Sequence, residues 1–340
     1  MSAQLPFPEL TGPGATGVGS MPGTDAREAA KTVTGSLEAL PHLAELPARG
    51  PGADMIGRSL GLLVELFARV EPSGWRFGDH PGRDTRRAHS WLGEDLDALE
   101  EFTQDYAGPV KVQAVGPWTL AAAVELQRGE KALADPGAVR DIAASLTEGL
   151  RLHLAEVRRR IPGARALLQL DEPSLPAVLA GQVKTASGWQ RLRAVDRGVA
   201  EEVLRGVVGA VAALDVPVAV HSCAPQVPIE LLRRAGASAV SLDASLLTER
   251  DDDAIGEGVE AGTVFLLGVV PSSDRTLSDP AGSVSGVRTL WRRLGLAPAL
   301  LSRSVVITPT CGLAGASPAY ARTALSHSVI AAQSLADNPE

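Results

Sequence analysis

The sequence predicts an α/β fold, a (β/α)8 TIM barrel with long loops at the C-terminal face, on three observations. Apolar runs of strand length recur along the 340 residues. Segments with helical spacing separate many of them, which is the pattern of repeated β-α units. Polar residues gather at the ends of those runs, where a barrel carries its active face. A doubly wound open sheet is the alternative, but Gly17-Val18-Gly19-Ser20-Met21-Pro22 lacks the third glycine of a dinucleotide loop and Pro22 interrupts the turn.

Taken in order, the first run is 16–20, which closes on Ser20 in a tight turn. The second, His42-Leu43-Ala44-Glu45-Leu46, stops at Pro47 and carries Glu45 near its end. The third, 110–115, leads into the turn Gly116-Pro117-Trp118-Thr119, and the fourth, 166–171, leads into Asp171-Glu172-Pro173. The fifth, 216–223, ends in His221-Ser222-Cys223; the sixth, 239–243, ends on Asp243; the seventh is 264–269; the eighth, 305–311, ends on Cys311. Ahead of the fifth run, Val199, Val203, Leu204, Val207, Val208 and Val211 step as one helix face, ended by Asp215-Val216-Pro217. Stretches 48–60 and 67–90, rich in Gly, Pro, Arg and Asp, read as long loops that fold over the barrel mouth, and 175–196 as a further excursion or lid. A single domain spanning 1–340 is expected, with 1–10 and 333–340 frayed.

At 45% hydrophobic and 21% charged, the chain can bury a large core. A net charge of −8 argues against nucleic acid as the main partner, and Arg158-Arg159-Arg160 reads as a solvated face. The N-terminus has no basic start or apolar core of a signal peptide, and no run is long enough to span a bilayer. Two cysteines are no disulfide framework, so a cytoplasmic protein with reduced thiols is expected.

Residues two apart in a strand share a face, so His221 and Cys223 can present nitrogen and sulfur to one point. A buried cysteine by itself is a small hydrophobe and a lone histidine a satisfied core residue. With Cys311 at another strand end, however, the three form a candidate site for a soft metal such as Zn2+. A tetrahedral ion needs a fourth ligand, and Asp243 ends the neighbouring strand. Asp171 is a candidate for holding a cationic amino group, with a helix N-cap as the plain alternative. Glu45 is a second carboxylate at a strand end.

On these residues the chain resembles the catalytic, C-terminal barrel of cobalamin-independent methionine synthases, including short core versions without the N-terminal barrel. The first run is similar to the family's Ile-Gly-Ser-Phe-Pro motif, whose serine, here Ser20, contacts homocysteine. The segment 42–47 is similar to the one whose glutamate, here Glu45, also binds the amino acid. Gln169-Leu170-Asp171-Glu172-Pro173 resembles the Ile-Asp-Glu-Pro motif, in which the aspartate, here Asp171, binds the substrate amino group. His221-Ser222-Cys223 and 308–313 resemble the zinc motifs, which implies His221, Cys223 and Cys311 as ligands; the family's fourth ligand is a glutamate, at the place of Asp243.

The resemblance implies a zinc-dependent methyltransferase that carries a methyl group to the thiol of homocysteine. The donor is a methylated corrinoid or methyltetrahydrofolate. The seventh run ends Val269-Val270-Pro271-Ser272-Ser273 and lacks the Asp-Ile-His element used with folate, so the corrinoid is the expected donor. The alternatives are zinc-dependent alkyl transfer to another thiol, and a non-catalytic zinc- and amino-acid-binding protein. No membrane partner is expected.

Overall fold

The computed structural model describes residues 14–339, so the expected fraying of 1–10 lies outside the described residues. Its strands, in chain order, are β1 (Gly14–Ala15), β2 (Phe67–Glu71), β3 (Gly74–Gly78), β4 (Pro109–Val115), β5 (Arg165–Asp171), β6 (Val218–Ser222), β7 (Ala239–Asp243), β8 (Val264–Val270) and β9 (Val305–Pro309). Seven form one parallel sheet in the order β1-β9-β8-β7-β6-β5-β4, and β2-β3 form a separate antiparallel pair.

Two apolar cores show that the sheet curls. The larger lies between the sheet and its outer helices. The smaller gathers Leu167, Ala219, Ala239, Leu266 and Val306, one from each strand β5 to β9, with Leu40 and Val264. Side chains on successive strands of a flat sheet would not enclose a core of their own; on the concave side of a curled one they do.

The expected eighth strand is the departure from a closed barrel. Segment 42–46 lies between the end of the first run and β4, but it makes only isolated bridges, Ser20 to Glu45 and His42 to Lys111. Pro41 and Pro47 bracket it, so few amides are free to build a ladder. The first run passes close over its neighbours instead, since a Cβ on Gly17 would lie 2.2 Å from His42 Nε2. The result is a seven-stranded curled sheet with a seam of bridges, not a closed eight-stranded ladder.

Aspartates start the crossover helices: Asp25 caps Ala26–Ser36, Asp135 caps Pro136–Arg160 and Asp196 caps Arg197–Ala212, each accepting from amides in the first turn. The stretches expected to be long loops hold elements. Met55–Leu62 is a helix capped by Asp54, 67–78 is the β2-β3 hairpin turning at Gly74 (φ 125°), and Arg83–Phe102 is a helix. Fraying from 333 is not what the chain shows either, because helix Pro318–Asp337 continues through it with Leu335 fully buried. Among the described residues, no helix is long and apolar enough to cross a membrane.

Candidate metal and substrate site

The polar side chains stand above the inner apolar core, at the strand C-termini. Period-two alternation puts Gln169 and Asp171 of β5, His221 of β6 and Ser241 of β7 on the concave face, with Cys223 next in step after His221. Ser20, Glu45, Asp171, His221, Cys223 and Cys311 line one cavity of about 220 Å3.

At one end of it the ligand atoms of His221, Cys223 and Cys311 lie within 4.8 Å of one another. His221 Nδ1 is 2.8 Å from Ser241 Oγ, which fixes the ring and leaves Nε2 for the sulfurs. The sulfurs are free thiols 2.9 Å apart. The side-chain hydrogen bond between them pushes the Cys223 thiol up and, joined by the imidazole of His221, brings Cys311 down to about 4. Two soft sulfurs and an imidazole oriented from behind suit a borderline-soft cation such as zinc. Asp243 is not brought to this group. Its Oδ1 accepts from Ser245 N at 2.9 Å and Ser245 Oγ at 2.6 Å, capping a short turn at the end of β7.

At the other end stand two carboxylates. Burial pushes Glu45 up to about 7, against the pull of Arg58, and burial raises Asp171 as well, opposed by His221 and a hydrogen bond from Gln169. Asp171 is no helix cap: Gln169 Nε2 donates to its Oδ1 at 2.7 Å. Ser20 sits against the metal-side loop, where Leu313 N donates to Ser20 O at 2.8 Å and a Cβ on Gly312 would lie 2.0 Å from Ser20 Oγ.

Two residues to which sequence reasoning gave no role, Lys111 and Gln169, support the site from beneath. Lys111 is fully buried; its Nζ donates to Val18 O and Gln169 Oε1, both at 2.8 Å, and burial lowers it to about 7 although Asp171 and Glu45 pull it up. Gln169 joins Lys111 to Asp171. Glu172, the other half of the carboxylate pair, points to the opposite face and accepts from Trp118 N (2.9 Å), Thr119 N (2.8 Å) and Thr119 Oγ1 (2.7 Å), so it ties down the 116–119 turn and not a ligand. The available signal was Lys111 and Gln113 alternating with valines in the third run, since a lysine inside a barrel strand needs a partner.

With this geometry established, comparison with known proteins decides the family. Residues 13–334 match the family described as cobalamin-independent synthase, catalytic domain. The chain belongs to the cobalamin-independent methionine synthase family. It is therefore a methionine synthase-type enzyme, a methyltransferase of methionine biosynthesis that carries a methyl group to homocysteine. Among solved structures it is similar to a B12-independent methionine synthase from Shewanella sp. W3-18-1 in complex with selenomethionine, at 12% identity and TM-score 0.62, covering 95% of this chain and 97% of that one. A 2,3-dimethylmalate lyase matches at 16% identity and TM-score 0.40, covering 92% of this chain and 80% of that one. No curated protein matches the chain.

Proposed function

We propose that the cavity binds homocysteine with its sulfur toward His221, Cys223 and Cys311, its ammonium between Asp171 and Glu45, and its carboxylate at Ser20, and that the ion is zinc. The observation that carries this reading is the placement of soft donors and two carboxylates in one cavity of about 220 Å3, a space suited to a small amino acid. Bound zinc supplies the Lewis acidity that keeps a thiol deprotonated at neutral pH. The protein's own groups do the rest. Asp171, held by Gln169, and Glu45 orient the ammonium, and Ser241 fixes the imidazole. For Asp243 to become the fourth ligand, the end of β7 must bring Oδ2, the oxygen that Ser245 does not engage, to the ion. Thiols that must stay reduced fit the cytoplasm.

The test is calorimetric titration with homocysteine. Removing one partner of a buried charge pair costs roughly 3–5 kcal/mol, so Asp171→Ala should abolish measurable binding while metal content stays unchanged. Unchanged affinity would overturn the assignment and point to another thiol.

For the donor we propose a methylated corrinoid, as a substrate and not a resident cofactor. A folate amine leaves only when protonated, whereas a methyl group leaves cobalt without that proton. After β8 come the hydroxyls of Ser272 and Ser273, with Thr310 Oγ1, just past β9, lying 3.3 Å from Ser272 Oγ, while the Asp274 carboxylate beyond them is taken up by Ser317. Methylcobalamin should support faster methionine formation than methyltetrahydrofolate at equal concentration; a clear preference for the folate rejects the assignment.

A further inference from the structure

On the outside of the sheet, helices Pro136–Arg160 and Arg197–Ala212 flank a groove of about 970 Å3 with Trp118 at its floor and Val139, Val195, Val199 and Val203 along its walls. The apolar stripe of the second helix outruns its cover. Val207 is 1% exposed, but Val199, one face with it by spacing, is 49% exposed. The lining lies in the first half of the first helix and runs from Val199 to Val207 of the second, hence mostly toward the strand C-termini that carry the cavity.

An arm, 182–193, stands at the end of this groove. Val195 N donates to Val178 O at its base, and Ala186 N, in the turn at its far end, donates to Glu130 Oε1, which ties that turn to the segment leading into the groove residues Leu133 and Pro136. The arm is a two-stranded excursion in which Lys184 and Arg191 face each other directly. Like charges so placed destabilise a hairpin. Arg193 and Arg197 follow, and among the described residues none of these cations has a carboxylate partner. Trp189 at the tip is 91% exposed. In a chain of net charge −8, an arm whose cations make no ion pair, touched by the one carboxylate of Glu130 at its turn and carrying a bare tryptophan beside an open apolar groove, has the composition of a recognition surface.

We propose that the groove and arm dock an amphipathic helix of another protein, its apolar stripe in the groove and its acidic end on Lys184, Arg191, Arg193 and Trp189. Charge selects this occupant. The groove holds Arg140, Glu148 and Glu202, of which Glu148 is already paired with Arg151, so the groove itself favours neither sign, while the arm is cationic throughout. A helix fits because two helix flanks make a long trough that anchors at helical spacing fill. An acidic first turn also suits a helix N-terminus. The floor of the trough leads to the site, since Trp118 N is held by Glu172, the neighbour of Asp171.

The test uses a labelled synthetic helix of about 18 residues, long enough to hold its fold, with leucines at helical spacing and glutamates in its first two turns. Fluorescence anisotropy with the full chain should show saturable binding that weakens with salt and falls about tenfold in Lys184→Glu/Arg191→Glu and in Val199→Asp. Trp189→Ala should weaken it as well. All these positions are exposed, and metal content with homocysteine titration checks that the variants are intact. Equal binding of a peptide with lysines for glutamates or with scrambled order, no saturable binding, or unchanged affinity in the variants overturns the proposal. So does sedimentation showing a dimer that Val199→Asp dissociates, which would make a second copy the occupant.

Discussion

Lys111 Nζ lies 2.8 Å from Gln169 Oε1 within the curled sheet, and the other end of Gln169 lies 2.7 Å from Asp171 Oδ1. A buried lysine thus steadies Asp171, the carboxylate proposed to hold the substrate ammonium, through an amide that touches both. Gln169→Leu should therefore weaken homocysteine binding by about tenfold, the scale of one buried hydrogen bond to a charge, and leave metal content intact. Titration calorimetry beside metal analysis separates the two effects; equal affinity would show that Asp171 needs no support.

Purified protein should hold about one zinc per chain, and Cys223→Ser or Cys311→Ser should lose it, because thiolates dominate the affinity for this ion. Asp243→Asn should lose less, since that carboxylate is engaged with Ser245. Metal analysis after dialysis reads this directly. Full retention in both cysteine variants would reject the site.

Glu172 accepts from two backbone amides and a hydroxyl at once. In Glu172→Gln the amide nitrogen must face one of those N–H groups, leaving a buried donor unpaired at about 1–3 kcal/mol. The midpoint of denaturant unfolding should fall accordingly, although the change leaves every metal donor in place. A midpoint unchanged from the parent would contradict this.

His153, which does not line the cavity, supplies a pH dependence of its own. Burial, with Arg58 adding to it, lowers His153 from 6.5 to about 3. Between those values the unfolded chain binds more protons than the folded one, so stability is full above pH 6.5 and is lost as pH falls toward 3, by up to about 1.4 kcal/mol per unit. His153→Leu should flatten this slope in part, because His42 is lowered to about 3 for the same reason. Urea midpoints at several pH values decide it; an unaltered slope would assign acid lability elsewhere.

The parts of the site that could be read from sequence are those where strand alternation acts unopposed. His221 and Cys223 share a face because β6 is regular, and Asp171 follows Gln169 for the same reason. Segment 42–46 looked equally apolar, but its flanking prolines reduce it to bridges, which a count of apolar residues does not register. The β2-β3 hairpin was hidden by Gly, Pro and Arg content, though Phe67 and Trp75 head alternating runs either side of a Pro72-Ser73-Gly74 turn. Lys111 escaped because valines surround it, and its meaning depends on Gln169, a partner 58 residues away. Helical spacing put Val199 on the apolar face of its helix, but spacing cannot say where a neighbouring helix stops covering the stripe.

The two sulfurs come from strands with β7 and β8 between them, 88 residues apart in the chain. A ribosome delivers Cys311 only after most of the protein has emerged, when the earlier strands have already had time to pair. With the proposed ligands, ion capture would therefore be a late event in biogenesis, drawing together parts of the sheet that no ladder joins directly. A nascent or truncated chain ending before β9 holds just His221 and Cys223 of the three clustered donors, so acquisition by that cluster would report that synthesis has reached the last strand of the sheet.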